Sequence, residues 1–250
     1  MFGALIIGDE ILSGKRQDKH FPKIIEILKA RGLSLGWGMY LPDEPAVITA
    51  VLSSTLARDD IVFCFGGIGA TPDDHTRQCA AKAAGVGLAL HPDAKREIEA
   101  RFGAEAYPKR IEMGVFPAGS RIVPNPYNRV PGFSYARHHF FPGFPEMAWP
   151  MMEWVLDHEY PHLHNQQPPV DVAIVVKDAG ESQLIDLMNA CIARYPGAKL
   201  FSLPSFTPAG RRIELGVKGN EAEASRALGF LKVGVSALGF GWEERKSGPD

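Results

Sequence analysis

Phe65-Gly66-Gly67-Ile68-Gly69-Ala70-Thr71-Pro72-Asp73-Asp74-His75-Thr76 decides how this chain of 250 residues reads. It closes the apolar run that begins at Ile61 and precedes Arg77-Gln78-Cys79-Ala80-Ala81-Lys82-Ala83-Ala84. The order is buried strand, glycine turn, helix start. Glycines at a strand end let a ligand approach bare backbone. A helix that follows aims free N–H groups and the positive end of its dipole at the same place. Such a place seeks anions, so the adjacent carboxylates Asp73 and Asp74 fit it if a cation is shared with the ligand. The chemistry implied is a phosphate-bearing ligand with a divalent metal. The same residues also read as a plain helix opening, with Thr71 as N-cap, Pro72 as the first helical residue and Asp74 as the capping-box acid. That reading leaves Gly66, Gly67 and Gly69 without a purpose. No Gly-Lys-Ser/Thr follows, so the loop is not a nucleotide P-loop, and its spacing is not that of the dinucleotide fingerprint.

Working outward, residues 2–8 are apolar without alternation, the pattern of a strand buried on both faces. His20 to Arg31 carries an apolar stripe of Phe21, Ile24, Ile25, Ile27 and Leu28, with Gly32 as its stop. Leu33–Leu41 reads as a strand, Glu44–Ala57 as a helix, Asp74–Ala84 as the helix after the glycine loop, and Asp93–Phe102 as an exposed helix. This rhythm predicts an α/β class with a mostly parallel sheet and right-handed crossovers. In such sheets ligands sit beyond the carboxyl ends of the strands, so Gly8-Asp9-Glu10 and Gly66–Asp74 are expected to face one crevice. Residues 120–144 hold short strand candidates, His138-His139 among them in a strand before the Pro142-Gly143 turn and with a loop or surface role rather than a catalytic one, and Pro145–Glu159 reads as a closing helix. The polar stretch Asn165-Gln166-Gln167-Pro168-Pro169 reads as a linker.

Beyond the linker the texture repeats on a smaller scale. Val170–Val176 is a strand and Glu181–Tyr195 a helix. Lys199–Phe206 and Arg211–Val217 form a hairpin around Pro208-Ala209-Gly210, and Glu221–Ala237 is a second helix. The expected organisation is 1–164, a linker 165–169, a small α+β module of β-α-β-β-α order over 170–242, and a frayed tail 243–250.

The formal charge is −2, which gives no ground for a nucleic-acid partner. The 3 cysteines, Cys64, Cys79 and Cys191, show no metal spacing and fit a reducing cytoplasm. No run approaches the ~20 apolar residues of a membrane helix, so no membrane partner is expected.

Gly66-Gly67-Ile68-Gly69-Ala70-Thr71-Pro72-Asp73-Asp74-His75-Thr76 resembles the signature loop of the MoaB/Mog molybdopterin-binding family, in the form found in the N-terminal region of the competence/damage-inducible protein A (CinA) family. Other landmarks fall in the same order: Gly8-Asp9-Glu10-Ile11-Leu12-Ser13-Gly14, Asn125-Pro126 with Pro131-Gly132-Phe133, and Phe141-Pro142-Gly143-Phe144-Pro145-Glu146-Met147. The resemblance spans roughly residues 3–150. It implies a three-layer α/β/α domain, followed by a KH-like module for which Gly180-Glu181-Ser182 is a landmark. That module lacks the GXXG loop of RNA-reading KH folds, and is expected to be an interface or substrate-covering domain. Three departures stand out: Ala70 replaces the family's proline, His20 its asparagine and Phe21 its serine.

The candidate constellation is Asp9, Glu10, Asp43, Asp73 and Asp74 around the glycine loop. Hard carboxylates suit Mg²⁺, Mn²⁺ or Co²⁺ held together with phosphate oxygens, with Asp73 and Asp74 as the expected metal ligands. The resemblance implies catalytic roles for Asp43 and Asp74. It also implies ligand contacts from Gly8, Asp9, Glu10, Ser13, Gly14, Asp18, Gly66, Gly67, Gly69, Thr71, Thr76, Pro142 and Gly143. Asp43 also reads as a turn or cap, Lys15, Arg16 and Lys19 as holders of anionic groups or a solvated basic turn, and His20 as a ligand contact or a surface histidine. The expected ligand is molybdopterin or a nucleotide. The expected activity is hydrolysis of a nucleotide pyrophosphate such as ADP-ribose, with pterin binding, adenylyl transfer or a silent interaction role as alternatives. A homo-oligomer is implied by the resemblance alone. Larger CinA proteins continue into an amidase domain, and no amidase activity is expected of these residues.

Overall fold

A computed structural model describes residues 1–165, 167–207 and 210–245. Gln166 of the expected linker, Pro208-Ala209 of the expected hairpin turn and residues 246–250 of the expected tail lie outside the described residues. The chain divides into two compact units, Met1–Asn165 and Gln166–Asp250.

The first unit runs β1 (Phe2–Ile7), α1 (Asp9–Leu12), α2 (His20–Ala30), β2 (Leu35–Leu41), α3 (Pro45–Leu56), β3 (Ile61–Phe65), α4 (Thr76–Ala84), β4 (Leu88–Leu90) and α5 (Pro92–Phe102). It continues with β5 (Val115–Pro117), β6 (Arg121–Val123), β7 (Gly132–Tyr135), β8 (His138–Phe141) and α6 (Pro145–Glu159). Six strands form one sheet in the order β2-β1-β3-β8-β7-β6. The first four are parallel, β7 runs antiparallel to β8, and β6 runs antiparallel to β7. The register aligns their carboxyl ends: Ile7 lies beside Leu41, Ile6 beside Phe65, and Phe65 beside Phe141.

Continuous apolar strands suit a sheet covered on both faces, and β1 and β3 are buried at every position. Alternate side chains feed two cores. Phe2, Ala4, Ile61, Phe63 and Phe65 meet Ile24, Ile27 and Leu28 of α2 and Met151, Met152 and Val155 of α6. Leu5, Ile7, Val62 and Cys64 meet Ile48 and Leu52 of α3 and Cys79 and Ala80 of α4. Each fully buried large apolar side chain contributes about 1.5–3 kcal/mol. The small antiparallel pair β4–β5 was not legible in the sequence, since its three-residue strands are shorter than any periodic signal.

His138 and His139 are not at the surface. They lie inside β8, both buried. His139 Nδ1 is 2.7 Å from the Ser134 hydroxyl and Nε2 is 2.9 Å from the Tyr160 hydroxyl. The Thr55 hydroxyl donates to Leu52 O, so His138 Nε2 donates to Thr55 Oγ1 at 2.9 Å. Burial lowers both imidazoles, His138 to about 4 and His139 to about 3.

The second unit runs β9 (Val170–Lys177), α7 (Glu181–Arg194), β10 (Lys199–Thr207), β11 (Gly210–Gly219), α8 (Glu221–Ala237) and β12 (Trp242–Glu244). The expected β-α-β-β-α succession is present, and β12 closes it. The sheet order β10-β11-β9-β12, all antiparallel, is that of the split βαβ arrangement. Residues 243–245 therefore correct the expected tail of 243–250. Trp242 pairs with Val176, and Arg245 forms ion pairs with Asp171 and Glu214. A short strand finishing a sheet has no sequence period of its own; its partner β9 defines it.

Candidate functional site

The connection from β1 leads to β2 on one side, while β3 lies on the other side of β1 and leads on toward β8. The strand order thus reverses between β1 and β3, the place where open α/β sheets hold their ligands. Four loops emerge on that edge: Gly8–Glu10 after β1, Pro42-Asp43 after β2, Gly66–His75 after β3 and Pro142-Gly143 after β8.

The glycine loop is built by contacts that only glycine permits. Gly66 has φ 104, and a Cβ there would overlap the Ile7 carbonyl oxygen. Gly67 has φ 68, and a Cβ there would strike the Thr76 hydroxyl. Gly66 N–H donates to Phe141 O at 3.0 Å, tying the loop to β8. Thr76 is fully buried, and its hydroxyl donates to Gly66 O at 3.0 Å. The hydroxyl of Thr76, expected to meet the ligand, is therefore engaged inside the loop.

Thr71 does not cap a helix. Helix α4 starts at Thr76, two residues later than the expected Asp74. Thr71 and Asp74 instead close a turn, in which Asp74 Oδ2 accepts Thr71 N–H at 2.9 Å and the Thr71 hydroxyl at 2.6 Å. The buried Arg77 fastens this turn from below. Its guanidinium donates to Gly69 O at 2.7 Å, to Val115 O at 3.1 Å and to Glu112 O. Desolvation lowers its pKa, with Asp74 and Glu112 opposing. Sequence reasoning passed over Arg77; an arginine inside an otherwise apolar helix start was the available signal.

Asp9 and Asp43 come together because β1 and β2 are sheet neighbours. Asp43 Oδ2 accepts Asp9 N–H at 2.8 Å, and Asp9 Oδ1 accepts Asp43 N–H at 3.3 Å. The Asp43 carboxyl is raised, first by desolvation, then by the charges of Asp9, Glu10 and Asp73, while the bond from Asp9 N–H pulls the other way. A carboxyl raised by burial and like charges at a strand-end crevice marks a functional-site candidate.

The candidate carboxylates, with Asp73 and Asp74 as the expected metal ligands, are not gathered into one metal centre. Among the described residues, no group of three or more His, Cys, Asp and Glu side chains is gathered to hold a metal ion. The donor set present does not fit a resident metal held by protein alone. The Asp9–Asp43 pair fits a hard cation that takes its remaining oxygens from phosphate and water, as Mg²⁺ commonly does.

Asp18 is engaged locally. Its Oδ1 accepts His20 N–H at 2.8 Å, and its Oδ2 accepts Phe21 N–H at 3.0 Å and the Tyr40 hydroxyl at 2.8 Å. It caps α2. His20 is neither a surface histidine nor an exposed ligand contact. It is buried at 5% exposure, tilted against Phe65 at 4.7 Å, and its Nε2 donates to Gly143 O at 3.1 Å. Ser13, Gly14, Lys15 and Arg16 are exposed beside α1. Asn125 is a loop builder whose Oδ1 accepts Tyr127 N–H and whose Nδ2 donates to Val130 O. A cavity of about 280 Å³ lined by Pro124, Pro126, Arg129, Pro131, Pro150 and Trp154 shares no residue with the crevice.

The family described as "Probable molybdopterin binding domain" matches residues 3–164. The chain belongs to this family. A CinA-like protein of Citrifermentans bemidjiense is 36% identical over 160 residues, covering 61% of this chain and 39% of that protein. A CinA-like protein of a Geobacter species is 33% identical over 198 residues, covering 75% of this chain and 47% of that protein. The chain thus spans less than half the length of these two relatives. The crystal structure of a CinA protein of unknown function from Thermoplasma acidophilum matches with a TM-score of 0.57 at 26% identity, covering 62% of this chain and 95% of that one. The first unit has the α/β fold of this family, and the crevice lies within the matched residues. No helix among the described residues is long and apolar enough to cross a membrane.

Proposed function

We propose that the first unit binds a phosphorylated heterocycle, a molybdopterin-type pterin or a nucleotide, with its phosphates at the Gly66–Asp74 loop. Asp9 and Asp43 would hold a divalent cation carried in with those phosphates. The observation that carries this reading is the Asp9–Asp43 pair beside a glycine loop at the point where the strand order reverses. Two carboxylates so close repel each other, and a cation relieves that repulsion. When bound, it would neutralise phosphate charge. Backbone at Gly66, Gly67 and Gly69 gives the phosphates close approach. Ser13, Gly14 and Thr71 are the exposed polar groups assigned to the ligand's remaining oxygens.

The activity proposed for this site is hydrolysis of a nucleotide pyrophosphate such as ADP-ribose. Water adds across one P–O–P bridge and leaves two monophosphates. Asp43, whose pKa is raised by desolvation and by the neighbouring carboxylates, is the assigned acceptor of the attacking water's proton. Asp74 shapes the phosphate loop through Thr71. One observation favours binding without turnover: Asp74 Oδ2 already holds two hydrogen bonds within its own turn. The proposed assembly is a homo-oligomer and the proposed compartment the cytoplasm.

The test is a chromatographic turnover screen of ADP-ribose, FAD, NADH and ATP with Mg²⁺, Mn²⁺ or Co²⁺, beside Asp74→Asn. Asparagine keeps an oxygen for both Thr71 donors and loses the charge. Metal-dependent cleavage that disappears in Asp74→Asn supports hydrolysis. Full activity in the variant refutes the role of Asp74. No cleavage of any of the four moves the assignment to pterin binding, read by titration with molybdopterin.

A further inference from the structure

His20 stands 123 residues from Gly143 in sequence and reaches its carbonyl oxygen at 3.1 Å. A carbonyl oxygen only accepts, so the imidazole proton sits on Nε2. The other nitrogen, Nδ1, is buried and has no hydrogen-bond partner among the described residues. The ring is held between Phe65, at 4.7 Å, and Trp149, edge-on at 6.4 Å. Gly143 sits directly over the glycine loop: a Cβ on it would lie 3.6 Å from Gly66 Cα. Gly66 in turn donates to Phe141 O and accepts from Thr76. A continuous path therefore runs from α2 through His20 to the Pro142-Gly143 turn and on to the loop assigned to phosphate.

We propose that His20, as the neutral Nε2–H tautomer, is a positioning residue that holds the Pro142-Gly143 turn against Gly66 and so fixes the shape of the ligand crevice. It rests on the proposed ligand site for its functional consequence, and on protein geometry alone for the hold itself. The departure from asparagine acquires a physical meaning. The imidazole reaches Gly143 O through Nε2, a reach the shorter asparagine amide lacks, and its ring also fills the space between Phe65 and Trp149.

The experiment compares the wild-type protein with His20→Gln, whose Nε2 amide matches the reach of the imidazole Nε2, and His20→Phe. Long-range ¹H–¹⁵N spectra of the imidazoles read the tautomer, and amide exchange reads the Gly66 N–H bond to Phe141 O. The expected result is an Nε2–H signature for His20, Gly66 exchange accelerated about fivefold or more in His20→Phe, and near-normal exchange in His20→Gln. Fivefold is the loss expected for one neutral hydrogen bond. Titration with ADP-ribose and Mg²⁺ then weakens by a similar factor in His20→Phe and is restored in His20→Gln. An Nδ1–H signature, or unchanged Gly66 exchange in a folded His20→Phe, overturns the proposal. Failure of the wild-type protein to bind ADP-ribose counts against the ligand assignment, and the exchange result still decides the hold.

Discussion

Acidification is predicted to destabilise the first unit through His138 and His139 well before its carboxylates are neutralised. The unfolded histidine titrates near 6.5; in the folded chain the two sit at about 4 and about 3. Both shifts are depressions, so their contribution is fully present above pH 6.5 and is lost as pH falls from there toward the folded values. Within that window the unfolded chain takes up two protons that the native chain refuses. Each costs about 1.4 kcal/mol per pH unit, giving a slope near 2.7 kcal/mol per unit. At pH 5 the loss is about 2 kcal/mol for each ring, or about 4 together, a large share of the 5–15 kcal/mol that holds a typical domain. The lowered pKa of the buried His20 acts in the same direction. Urea unfolding followed by tryptophan fluorescence from pH 7.5 to 4.5 measures the slope, since Trp37, Trp149 and Trp154 all lie in the first unit. His139→Gln retains a hydrogen-bonding side chain and cannot titrate. Whatever it costs in absolute stability, it should flatten the slope by about 1.4 kcal/mol per pH unit. His138→Gln should do the same independently. A slope unchanged in both variants would refute the reasoning, because then neither ring is held neutral by burial.

Two further outcomes follow from the crevice. Gly66→Ala forces a side chain onto φ 104 and against the Ile7 carbonyl, so it should destabilise by about 1–3 kcal/mol in thermal melts and weaken ADP-ribose binding; a neutral effect on both would show that the loop is not rigid. Asp43→Asn removes a carboxylate whose raised pKa destabilises the native state once pH exceeds its unfolded value. It should therefore raise the melting temperature at pH 7.5, lose that advantage near pH 3.5, and reduce cation-dependent ligand binding. A lower melting temperature at pH 7.5 would overturn the assigned repulsion.

The layered core and the place of the crevice were legible in the order of residues. Uninterrupted apolar runs such as Leu5–Ile7 and Ile61–Phe65 suit strands covered on both faces, and the glycines after them announce a close approach of backbone. These are local signals: they depend on residue type and short spacing. Which polar groups meet was settled by the packing of distant elements. Asp9 finds Asp43 because β1 and β2 share a register, and His20 finds Gly143 because α2 packs beside the loop after β8. Thr76 turns inward because Gly66 O has left the β3 ladder and needs a donor, which the hydroxyl supplies. The same holds for His138 and His139, whose polarity suggests a surface until Thr55, Ser134 and Tyr160 arrive from other elements to satisfy them. Strand β12 exists only as a partner of β9. Long-range hydrogen bonds carry no sequence period, and the register that creates them is set by the packing of whole faces.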